Sequence, residues 1–85
     1  MYSKKAIEYS NVILSALAAN DGKMRESDVL DILDEKYGEE TDEPALQIES
    51  LIATEQMIVR EKAYLILTKE GRKAAKSGLQ KFLKR

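Results

Sequence analysis

The apolar spacing of this chain changes twice, at Met57 and again at Thr68, and those changes limit its possible folds more than any other feature. Up to Gln56 the apolar residues recur at helical separations. "MIVR" and "YLIL" then form two short β-branched and aliphatic runs separated by "EKA", and "TKEGRKAAKSGLQKFL" returns to helical spacing. The pattern predicts helices, a β-hairpin of two strands of about four residues each, and a final helix.

Within the first part, Ala6, Ile7, Ile13, Leu14, Leu17 and Ala18 mark a helix over about Lys4 to Ala19, with Ser3 as its cap. "NDG" at 20–22 ends it, because Asn and Gly tolerate the left-handed conformation of helix ends. "KMR" at 23–25 is long enough only for a loop or a brief edge strand. Ser27 and Asp28 open a second helix that carries Val29, Leu30, Leu33 and Tyr37 and closes at Gly38. Thr41 or Asp42 caps a third, from about Glu43 to Glu55, with Pro44 in its first turn and Leu46, Ile48, Leu51 and Ile52 as its apolar face. In the last helix, Thr68 is the cap, Glu70 lies in the first turn, and Ala75, Leu79, Phe82 and Leu83 share one side.

A chain of 85 residues is read as one domain, residues 1–85, that buries only about 60–65% of its unfolded surface and has little room for a deep substrate cavity. With no cysteine there is no disulfide, thiolate metal site or catalytic thiol. Histidine is absent too, as are a nucleophile elbow and a phosphate-binding glycine loop, so neither enzyme activity nor a cofactor is expected. The carboxylates Glu39, Glu40, Asp42 and Glu43 lack calcium-loop spacing and read as a solvated run. No window approaches a membrane span or a signal-peptide core, so the expectation is a soluble, cytoplasmic protein without a membrane partner.

The net charge of −1 hides a strong asymmetry. Residues 1–56 hold 13 Asp/Glu against 5 Lys/Arg, whereas residues 57–85 hold 2 against 9. The chain is an acidic body with a basic C-terminal third.

The order helix, short edge segment, helix, helix, hairpin, helix, together with the closing pattern Leu67, Thr68, Gly71, Arg72 and Ala75, resembles a winged helix-turn-helix domain of the small bacterial and archaeal transcriptional-regulator-like kind. The residues also have a purely structural reading, in which Thr68 ends the strand and caps the helix, Gly71 lets that helix approach the sheet, and Ala75 keeps the packing face small. The resemblance implies a mostly α fold with a two-stranded wing, and transcription regulation through double-stranded DNA. It places the third helix in the major groove. The residues read as exposed there are Glu43, Gln47, Glu49, Ser50 and Glu55, and no Lys or Arg occurs between Lys36 and Arg60. A cation-free helix approaches a polyanion at an electrostatic loss.

The candidate DNA contacts are therefore Arg60 and Lys62 on the wing, Lys69, Arg72 and Lys73 on the last helix, and Gln47, the one side chain of the third helix suited to reading adenine. Phe82 and Leu83 either fold back onto the first helix, completing the small core, or form a homodimer seam for which Leu79 is also a candidate. The competing expectation is a protein-interaction winged helix that docks its acidic third helix on a basic partner and binds no DNA. Tyr2, Tyr9, Tyr37 and Tyr64 are read as core-edge residues rather than a base-stacking platform.

Overall fold

The computed structural model describes residues 4–38 and 42–77. Four helices and three strands follow in the order α1 (Lys4–Ala19), β1 (Lys23–Arg25), α2 (Glu26–Tyr37), α3 (Glu43–Ala53), β2 (Ile58–Glu61), β3 (Tyr64–Leu67) and α4 (Lys69–Ser77). The fold is mostly helical with a small antiparallel sheet of order β1-β3-β2. Lys23 pairs with Ile66 and Arg25 with Tyr64, while Ile58 pairs with Leu67 and Glu61 with Tyr64.

The core forms where α1 crosses the other elements. Tyr9, Ile13, Leu14 and Leu17 of α1 meet Val29 and Leu33 of α2, Ile48 and Leu51 of α3, Met57, Ile58, Leu65 and Leu67 of the hairpin region, and Ala74 of α4. Each of these elements presents one apolar stripe, so a central helix lets all of them bury it in a single cluster.

The turns follow from their residues. α1 closes as Asn20 and Gly22 donate their N–H groups to the Leu17 carbonyl, with Asp21 and Gly22 at positive φ. Gly38, at φ 87°, closes α2 onto Asp34. Thr68 caps α4: its Oγ1 accepts the Gly71 N–H at 3.1 Å and donates to the Gln56 carbonyl at 2.7 Å. That pair of bonds ties the start of α4 to the segment that leads into β2.

Gly71 is where close approach is required. A Cβ there would overlap the Met57 carbonyl oxygen and lie 3.0 Å from Leu67 Cδ2, so only a bare Cα lets α4 lie against the hairpin.

Several expectations need correction. Ser27 does not cap α2; the helix starts one residue earlier, and Arg25 holds the cap position without a side-chain bond. The chain passes directly from β1 into α2, and the Glu26 N–H is satisfied by the Ala63 carbonyl of the hairpin turn at 2.8 Å. Asp42 stands at the cap position of α3, again without a side-chain bond. Leu46, expected in the core, is 64% exposed, and Gln47, expected on the surface, is buried. The buried stripe of α3 is Pro44, Gln47, Ile48 and Leu51, at i, i+3, i+4 and i+7. On α1, Ala18 is exposed. On α4, Ala74 is fully buried and Ala75 only partly. Leu79, Phe82 and Leu83, as well as Ser3 and Thr41, lie outside the described residues.

Candidate nucleic-acid interface

The hairpin places Arg60 on the core side of the sheet rim, beside the start of α2 and the outer surface of α3. There its guanidinium makes a two-pronged bond to Glu26, Nε to Oε1 at 2.8 Å and Nη2 to Oε2 at 2.9 Å, and also pairs with Glu49. Two carboxylates on one guanidinium leave it more than neutralised and geometrically committed. These bonds raise the Arg60 pKa, and the hydrogen bond from Arg60 holds the Glu49 carboxyl below its ordinary range.

A pH dependence follows. Because the folded pKa of Glu49 is depressed, its contribution is present above the unfolded value, near 4.5, and is lost as pH falls through the folded one. All three side chains are partly solvated, so the contribution is about 1 kcal/mol at most. Urea unfolding of Glu49→Gln should show a deficit of that size against the parent at pH 7 and almost none at pH 3. A deficit that persists at pH 3 rejects the ion pair as its source.

Gln47 faces inward. Its Nε2 donates to Ser10 Oγ at 2.8 Å, joining α3 to α1 in a buried polar pair. A polar residue at an otherwise apolar stripe position carries no sequence signal that separates an inward hydrogen bond from an outward contact, and so its orientation was missed. The outer surface of α3 is left with Asp42, Glu43, Ala45, Leu46, Glu49 and Ala53. It carries no cation. Beside Leu46, an open groove of about 200 Å³ is lined by Ala6, Tyr9, Glu43 and Gln47.

The cations of α4 fall at Lys69, Arg72, Lys73 and Lys76, again i, i+3, i+4 and i+7, opposite the buried Gly71 and Ala74. All four are exposed. Lys73 has a loose pairing with Glu70 at 3.9 Å; Lys69, Arg72 and Lys76 make no ion pair among the described residues. Arg72 lies over the backbone of Gly22, so that a Cβ at Gly22 would be 2.6 Å from Nη2. Lys62 stands at the hairpin tip with φ 57°, exposed and without an ion pair among the described residues.

An open groove of about 480 Å³, lined by Ile52, Ile58, Val59 and Lys69 together with Glu55 and Glu70, connects the β2 edge to the start of α4.

On the outer face of the sheet, β1 supplies two cations that the sequence did not single out. Lys23 Nζ lies 4.7 Å and Arg25 Cζ 5.7 Å from the centre of the Tyr64 ring. Only pairing of β1 with β3 brings residues forty positions apart onto one face, so spacing along the chain gave no sign of it. Tyr9 and Tyr37, by contrast, meet edge to face at 4.8 Å at the margin of the core, as expected.

Among the described residues, no group of three or more His, Cys, Asp or Glu side chains could hold a metal ion, and no helix is long and apolar enough to cross a membrane. Compared with protein-family models, curated proteins and solved structures, the chain matches none.

Proposed function

We propose that this chain is a winged-helix module that binds double-stranded DNA through the tip of its hairpin and the outer face of α4, with α3 turned away from the phosphates. The supporting observation is the way the charges are spent. Arg60, the cation nearest α3, is already neutralised by Glu26 and Glu49, whereas Lys62 at the tip and the Lys69, Arg72, Lys73 and Lys76 stripe are exposed and largely unmatched. Phosphate neutralisation needs cations that are free to release counter-ions, and those are the free ones. On this reading Lys62, Lys69, Arg72 and Lys73 contact the backbone, Arg60 is a brace, and Gln47 reads no base. Backbone contact of this kind gives affinity with little sequence preference.

Titration with duplex DNA over a range of salt tests it. Affinity should rise as salt is lowered, and Lys69→Glu with Lys73→Glu should weaken binding at low salt and reduce the slope of log affinity against log salt by about 2. Affinity indifferent to salt, or a double variant that binds like the parent, rejects the proposal.

A second reading is favoured by one observation, the 64% exposure of Leu46 beside the Ala6 and Tyr9 groove on a helix whose exposed side chains include carboxylates and no cation. A docking partner there would bring an apolar side chain flanked by Lys or Arg. A chain that binds no duplex at low salt leaves this reading as the stronger.

A further inference from the structure

We propose that the outer face of the sheet is a contact site for unpaired bases of a nucleic acid strand, with Tyr64 as the stacking surface and Lys23 and Arg25 as the phosphate ligands. The inference rests on the reading that the chain binds nucleic acid, and it adds a site on a different surface from the α4 stripe.

Strand register fixes what shares this face. Tyr64 and Ile66 alternate with the buried Leu65 and Leu67, so they point away from the core; their neighbours in register are Arg25 and Lys23 on β1, and Glu61 and Val59 on β2. One side of the face is thus basic and the middle aromatic and aliphatic. The β2 side continues the apolar surface through Val59, 45% exposed, and ends at Glu61 near the tip. A phosphate chain that avoids Glu61 follows β1.

Two details separate this from an ordinary cross-strand pair. A single cation over a tyrosine ring is a common stabilising contact, but here two cations converge on one ring with no carboxylate paired to either among the described residues. Like charges held at one ring repel each other, and an anion between them relieves the repulsion. The second detail is spacing. Lys23 and Arg25 are two residues apart on one strand, about 6.6 Å along its axis, comparable with the separation of successive phosphates in an extended strand. When the cations swing to phosphates, they uncover the ring face for a base, and Ile66 and Val59 extend the flat surface beside it. Base-on-aromatic stacking combined with a cationic track is the general means of holding single strands.

The test uses the full chain with an oligothymidine strand and a duplex of equal length. Tyr64→Ala should weaken oligothymidine binding about tenfold. Tyr64→Phe should bind like the parent, since stacking needs the ring and not the hydroxyl. Tyr64→Leu, which keeps apolar bulk on the face without a π system, should lose affinity as alanine does, and it keeps the test decisive if the alanine variant folds poorly. Duplex affinity, carried by Lys69 and Lys73, should be unchanged in all three. Lys23→Gln with Arg25→Gln should reduce the oligothymidine salt slope by about 1.4. The proposal is overturned if Tyr64→Leu binds oligothymidine like the parent, if strand and duplex affinities fall together, or if the parent binds no oligothymidine. Duplex binding that depends on Lys69 and Lys73, together with oligothymidine binding that does not depend on Tyr64, rejects this site alone; oligothymidine binding without duplex binding rejects the duplex reading and leaves this one standing.

Discussion

Gly71→Ala destabilises the fold by about 3 kcal/mol, a thermal-midpoint drop of roughly 10–20 °C for a domain of this size. The sign is not obvious, because alanine is the better helix former and would by itself contribute about 1 kcal/mol in the opposite direction. Sterics decide it. The new methyl group would overlap the Met57 carbonyl oxygen, approach the Met57 carbonyl carbon to 2.9 Å and reach 3.0 Å from Leu67 Cδ2. Leu67 is a side chain and can shift, but Met57 is backbone, and its carbonyl already accepts the Thr68 N–H at 3.0 Å. Moving that carbonyl breaks the bond and disturbs the Thr68 cap, whose Oγ1 donates to Gln56 in the same segment. The alternative relaxation lifts α4 off the hairpin and opens the site around Ala74, which is fully buried. A melt in which Gly71→Ala is as stable as the parent rejects the close approach of α4 to the hairpin.

Gly71 also shows which parts of this fold were legible in the sequence. Leu-Thr-x-x-Gly-Arg-x-x-Ala is a local pattern, and each local role expected of it, strand end, cap and close approach, involves residues within a few positions or one adjacent strand. α1 was legible for a similar reason, its apolar stripe being long, although Ser10 also lies within the buried face. The misread residues are those whose environment is set by a distant partner. Ser27 had the chemistry of a cap but was displaced because the Ala63 carbonyl reaches the helix start from the hairpin. Arg60 had the position of a hairpin contact residue, yet its carboxylate partners are 34 residues earlier and 11 residues earlier. Lys23 and Arg25 belonged to a segment too short to assign, and their place beside Tyr64 exists only through strand pairing. In each case the deciding contact crosses between elements, and no periodicity along the chain encodes it.

The same reasoning gives the sharpest test of α3. Leu46 and Leu51 were expected on one apolar face, and the structure separates them completely: Leu51 is fully buried and Leu46 is 64% exposed. Leu51→Ala should therefore cost about 3–4 kcal/mol in urea unfolding, the lost transfer energy of the side chain plus the cavity left in the core. Leu46→Ala should change stability by less than about 0.5 kcal/mol, since the side chain already meets water. Nothing in composition distinguishes these leucines, so the difference measures the rotation of α3 about its own axis. That rotation is set mainly by Ile48 and Leu51, both fully buried, and the bond from Gln47 to buried Ser10 satisfies the polar side chain that the same rotation turns inward while Leu46 is left outside. If the two variants cost the same, α3 is rotated toward the face first expected of it. Leu46 is then a core residue, Gln47 faces solvent, and the cation-free outer surface on which α3 was set aside as the DNA-facing element must be redrawn around it.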